Sequence, residues 1–231
     1  MNGKETQLQQ MLTRLRTRLL VMSASVGIAV DEACAALIEG NMGRASAVID
    51  GDEVINNLEN EIDDLALALL ARNQPVAHDL RFVVASLRMV IDLERIGDEA
   101  ASIAERALIL HSPLPPAVMD TISALMHSAN ALYKNAVECF RSGDAEQALK
   151  LCRNDDDEIT QQEVIALQSL MDYLYTIPEQ GGGIGQSYAG MHGILICRAL
   201  SRICRRSANI AEHAYFIVTG LNIKHKKSAC V

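Results

Sequence analysis

Residues 93–105 and 200–212 carry one pattern twice, about 107 positions apart, and this constrains the fold more than any other feature. The first copy opens Leu93-Glu94-Arg95-Ile96-Gly97-Asp98 and closes on Ile103-Ala104-Glu105. The second opens Leu200-Ser201-Arg202-Ile203-Cys204-Arg205 and closes on Ile210-Ala211-Glu212. A repeat of that length exceeds solenoid periods and points to two fused copies of domain size. The apolar frame is kept, but Ser201 and Arg205 stand where the first copy has Glu94 and Asp98. One half retains a carboxylate pair and the other has lost it.

The repeated unit reads as helical. Of 231 residues 49% are hydrophobic but only 3% aromatic, with no Trp, so Ala, Leu, Ile, Val and Met must fill the core. That composition suits a helical bundle better than a sandwich. Ile55, Leu58, Ile62, Leu65 and Leu69 step by 3 and 4, the apolar seam of a bundle helix. Prolines at 75, 113, 115, 116 and 178, with glycines at 181–183 and 185, mark the breaks. The spacing predicts an all-α chain of six long antiparallel helices at 5–39, 41–73, 76–110, 115–142, 144–176 and 186–219. These form two tandem three-helix bundles. The expected division is 1–112, 113–222 and a basic tail at 223–231.

A net charge of −8 argues against a nucleic-acid binder. The one basic run, Lys224-His225-Lys226-Lys227, reads as a solvated tail. Six cysteines without Cys-x-x-Cys spacing, and a polar opening segment, predict reduced thiols in a cytoplasmic protein. The apolar stretch 19–30 is too short to span a bilayer, so no membrane insertion is expected.

On the third helix Val83, Leu87, Val90, Glu94, Gly97, Ala101, Ala104 and Leu108 form a seam in which Glu94 fills an apolar slot. Asp98 follows one turn later, and like charges at that spacing destabilise a helix unless something positive stands between them. Asp52, Asn56, Glu59 and Asp63 make a second oxygen-bearing stripe on the preceding helix. Two such stripes suit a hard divalent cation. They equally suit a solvated face whose acids pair with Arg72, Arg88 or Arg95. No Glu-x-x-His pair supports di-iron chemistry, the glycines at 181–185 do not form a phosphate loop, and no catalytic motif stands out, so no enzyme is predicted.

The stripe Asp52-x-x-x-Asn56-x-x-Glu59, the element Gln74-Pro75-Val76-Ala77-His78-Asp79-Leu80-Arg81 and the run Leu93-Glu94-Arg95-Ile96-Gly97-Asp98 together resemble the PhoU family of bacterial phosphate-signalling regulators. The resemblance covers roughly residues 10 to 225. It implies tandem three-helix domains holding divalent or multinuclear metal, with iron, manganese, magnesium or zinc as candidates. Carried over, Asp52, Asn56, Glu94 and Asp98 are the expected ligands, with Glu59 beside them, in the first domain only. The implied partners are the ATPase of a phosphate transporter, a phosphate-sensing histidine kinase and a second copy of the chain.

The second domain departs from that pattern, since the family would repeat Glu-Arg-Ile-Gly-Asp there. Asp155, Asp156, Asp157 and Glu163 remain, and the expectation is that the Arg205 guanidinium replaces a cation opposite Asp156 and Glu163. The alternative is that Arg205 faces solvent in a partner-binding patch with Arg202, Arg206 or the tail lysines. The favoured function is a non-enzymatic cytoplasmic regulator that represses phosphate signalling and uptake. A metal-buffering protein and an adaptor for another transporter are the alternatives.

Overall fold

A computed structural model describes residues 2–110, 113–177 and 183–223, with the side chains of 2–6 and 153–157 outside that description. The tail cluster at 224–227, Cys230, most of the glycine loop and the side chains of Asp155 to Asp157 therefore lie outside the described residues. Among the described residues six helices run in order: α1 (Asn2–Glu39), α2 (Met42–Asn73), α3 (Ala77–Ile109), α4 (Pro116–Ser142), α5 (Ala145–Thr176) and α6 (Ile184–Thr219). The described residues contain no strand.

Local chemistry sets the boundaries. Asn41 accepts the Arg44 amide at 3.1 Å and Asp144 accepts that of Gln147 at 2.9 Å, so each side chain caps a new helix. Pro116 opens α4, where its missing N–H costs nothing. Gly143 and Gly220 adopt the left-handed conformation that closes α4 and α6.

Helices α1, α2 and α3 pack on one another as one bundle, and α4, α5 and α6 as another. The bundles join where α3 lies against α6, with a smaller contact between α1 and α4. Both junctions are antiparallel. Glu99 meets Arg202 while Arg81 meets Gly220, and Ser23 meets Tyr133 while Asp31 meets Asn130. The halves are thus related by a pseudo-two-fold axis.

The predicted α2 seam is seen, with Ile55, Leu58, Ile62 and Leu69 buried and Leu65 packed against the core. On α3 the single predicted seam is too narrow. Val83, Val90, Gly97 and Ala104 are buried, but so are Phe82, Ala85, Met89, Leu93, Ile96, Ala100 and Ile103. This helix packs against its own bundle and against α6, so it needs two apolar stripes rather than one.

By length and composition the segment Gln7–Glu39 is apolar enough to cross a membrane. Its stripe of Leu15, Leu19, Met22, Val26 and Val30 is wholly buried in the core, while Val21, Ile28 and Ile38 of the same helix are exposed.

Candidate functional site

The predicted acids of the first half meet along the α2–α3 contact. Gly97 makes the approach possible, since a Cβ there would stand 3.0 Å from Ile55 Cδ1 and 3.6 Å from Asp52 Oδ1. Asp52 is thereby laid against α3. Its Oδ2 accepts Asn56 Nδ2 at 3.0 Å, while its Oδ1 is enclosed with no hydrogen-bond partner. On α3 the Glu94 side chain is only 16% exposed, and Arg95 bridges the acids on either side of it. The guanidinium lies 3.3 Å from Glu94 Oε2 and 2.9 Å from Asp98 Oδ2. Of the three arginines that could have served, Arg95 is the one that pairs.

One guanidinium does not balance this group. Burial, then the charge of Asp98, push the Glu94 carboxyl up to about 7, against the pull of Arg95 and with Glu59 adding to the repulsion. Burial also raises Asp52, helped by Asp98 and opposed by the Asn56 hydrogen bond. Glu59 is raised by burial and then by Asp63, and Asp63 by burial and then by Asp64. The donors are all oxygen, one carboxylate oxygen is enclosed and unpartnered, and negative charge exceeds positive. That chemistry fits a hard divalent cation. Among the described residues, however, no three acidic, histidine or cysteine side chains close around a common point. Glu94 and Asp98 close on Arg95 instead.

The second half differs more than the sequence implied. Glu163 pairs with Arg198 at 3.2 Å, and not with Arg205 as expected. Arg198 lies two turns earlier on α6, at the level where α5 presents Glu163. Arg205 is exposed, and its Nε donates to the Ser201 carbonyl of its own helix at 3.4 Å. Asp156, the other expected partner, has its side chain outside the described residues. Ser201 is buried and donates to the Cys197 carbonyl at 3.0 Å, so the position of a lost carboxylate has become part of the core.

Comparison with known proteins agrees with this architecture. The PhoU domain profile matches residues 19–107 and 122–214, one copy in each bundle. The chain belongs to the PhoU family. It is similar to the phosphate-specific transport system accessory protein PhoU homolog of Pseudomonas putida, at 34% identity over 93% of this chain and 81% of that protein. The Escherichia coli K12 phosphate-specific transport system accessory protein PhoU is 27% identical, over 93% of this chain and 86% of its own. Among solved structures, the crystal structure of PhoU from Pseudomonas aeruginosa superposes with a TM-score of 0.85 at 32% identity, covering 92% of this chain and 99% of that one.

Within this PhoU-type pair of bundles, sequence reasoning missed the most enclosed charge. Asp92 on α3 is buried, and its Oδ1 accepts Arg206 Nη1 at 2.9 Å and Asn209 Nδ2 at 3.1 Å from α6. His213 Nε2 stands 3.4 Å from its Oδ2. Burial works against the charge, yet the hydrogen bonds from His213, Arg206 and Asn209 outweigh it and hold the carboxyl below its ordinary value. The repeat did contain a signal. The counterpart of Asp92 is Ala199, which is fully buried, so an acid at that slot had to be answered from across the junction.

Asp79 and Arg81 of the Gln-Pro element have structural settings. Asp79 sits in the first turn of α3, and the Arg81 guanidinium packs over Gly220.

Proposed function

We propose that this chain is a non-enzymatic accessory regulator that represses phosphate signalling and uptake. It works in the cytoplasm, as a homodimer, by docking on the ATPase of a phosphate transporter and on a phosphate-sensing histidine kinase. The observation that carries this reading is the PhoU domain in both bundles, together with relatives named as accessory proteins of the phosphate-specific transport system.

Docking is supported by the surface of the second bundle. Ile184, Tyr188, Met191 and Leu195 are exposed at i, i+4, i+7 and i+11 along α6. Met171 and Tyr175 are exposed one turn apart on α5, near the Leu174–Gly190 contact that joins the two helices. Aromatic and Met side chains grouped on a surface suit a protein partner.

The first bundle supports a divalent cation as part of the same proposal. Asp52, Glu59, Glu94 and Asp98 would hold it, with the Asn56 carbonyl oxygen alongside. The cation would supply the counter-charge that Arg95 alone does not provide. Arg95 is 56% exposed, so its guanidinium has room to leave the carboxylates.

The deciding experiment is affinity capture from phosphate-replete and phosphate-starved cells, with mass spectrometry of bound proteins. Recovery of the transporter ATPase and the kinase, changing between the two conditions, is expected. Recovery of neither, or of a different transporter's subunits, would overturn the assignment in favour of an adaptor for another system.

A further inference from the structure

The strongest feature outside the acidic site is a groove along α6. Arg198, Arg202, Arg205, Arg206 and Asn209 line an open cavity of 780 Å³, with Glu212 at one end and Ala208 as its single apolar contact among the described residues. Three of the four guanidinium groups are anchored from behind. Arg198 is held by Glu163 at 3.2 Å, Arg202 by Glu99 at 2.8 Å and Arg206 by Asp92 at 2.9 Å. The acids are tucked in at 16%, 18% and 7% exposure, whereas their arginines are exposed by 53%, 47% and 39%. The groups turned outward are therefore the guanidinium forks, with their acids behind them. Arg205, exposed between them, has no carboxylate partner among the described residues.

A guanidinium offers five N–H donors. Arg198 and Arg206 spend one each on their acids and Arg202 spends two, its Nε and Nη2, so most remain available. Anchoring removes much of the rotamer entropy that binding would otherwise cost. Fixed guanidinium forks of this kind match phosphate oxygens, often in pairs. The stripe from Arg198 to Asn209 covers about 16 Å of helix, at a rise of about 1.5 Å per residue. That is longer than one phosphate and suits several in a row. Among the described residues the lining offers Ala208 and arginine methylenes but no aromatic or branched apolar side chain on which an acidic peptide would anchor.

We propose that the α6 groove binds a chain of linked phosphate groups, either free or carried by a nucleotide. This site is distinct from the α2–α3 carboxylates. The first half offers no equivalent, because Ile91, Asp98 and Glu99 stand where α6 has Arg198, Arg205 and Arg206. The inference rests on the α6 arginines and the acids that anchor them, and not on the transporter assignment.

The test is calorimetric titration of the full-length protein with tripolyphosphate, ATP, orthophosphate and a poly-glutamate peptide. Tripolyphosphate or ATP is expected to bind one per chain, about tenfold or more tighter than orthophosphate, and to weaken with added salt. Tighter binding of tripolyphosphate marks the free chain as the ligand, and tighter binding of ATP marks the nucleotide. Arg205→Glu should abolish binding and Arg205→Gln should weaken it at least about fivefold, both with an unchanged melting temperature. The variant Glu94→Gln/Asp98→Asn should bind as the parent does. No heat with either phosphate chain, tighter binding of the peptide, or affinity indifferent to Arg205→Glu would overturn the proposal. So would a loss in the Glu94/Asp98 variant equal to that in Arg205→Gln, since it would place the phosphate on a metal in the first bundle.

Discussion

Arg206 Nη1 lies 2.9 Å from Asp92 Oδ1, a contact between residues 114 positions apart that joins the two bundles at their most enclosed charge. Asn209 and His213 complete the set, and all three partners come from α6.

Removing the acceptor strands those partners. Asp92→Ala is expected to destabilise the protein by about 2–4 kcal/mol, the scale for breaking a buried pair from one side. Asp92→Asn keeps an oxygen acceptor and should lose less. Urea unfolding followed by circular dichroism measures both. A change below about 0.5 kcal/mol for Asp92→Ala would show that this polar cluster contributes little to holding α3 against α6.

Gly97 sets the distance between α2 and α3. Gly97→Val would press side-chain carbons against Ile55, whose Cδ1 is already 3.0 Å from where a Cβ would stand. A loss of about 1–3 kcal/mol is expected, as for overpacking generally. Cys204 fills the equivalent place on α6, so Cys204→Val should cost less. Thermal melts of the two variants make the comparison, and equal losses would contradict the close-approach argument.

Glu94 carries a pH signature. Its carboxyl lies at about 7 in place of the ordinary 4.5, through burial and then Asp98. An acid raised on folding costs stability once pH exceeds the unfolded value, and the cost is complete above the folded one. In the presence of chelator, Glu94→Gln should therefore gain about 1–2 kcal/mol at pH 8 and almost nothing at pH 4. Urea titrations at the two pH values provide the check. An equal effect at both would mean that charge repulsion plays no part.

Burial, followed by the charge of a neighbouring acid, pushes the thiols of Cys34 and Cys197 up to about 12 and that of Cys139 to about 11. Since the thiolate is the reactive form, these three should resist iodoacetamide at pH 8 in the native protein and react in urea. Peptide mapping by mass spectrometry reads the outcome, and rapid native labelling would contradict the packing described.

Much of the fold was legible because its signals are local. The 3–4 seams located the helices, and the prolines at 75, 113, 115, 116 and 178 placed breaks between them, since a proline acts on its own turn. The second apolar stripe of α3 was not legible, because it exists to meet α6 and depends on contacts more than a hundred residues away. The same limit governs the sites. Glu94 and Asp98 were readable as one face of one helix, with Arg95 among their candidate partners. Asp92 was passed over because its three partners come from the other half. Glu163 was assigned to Arg205 rather than Arg198, because sequence does not fix which turn of α6 faces it.

The central claim is that two bundles of one design carry opposite chemistry, with a cation held only in the first. Metal loading tests it most directly. The stripped full-length protein is reloaded with Mn²⁺ or Fe²⁺, and bound metal per chain is measured by elemental analysis. The account predicts metal on the parent, unchanged stoichiometry in Arg205→Gln, and loss in Glu94→Gln/Asp98→Asn. Unchanged stoichiometry in that double variant would contradict it.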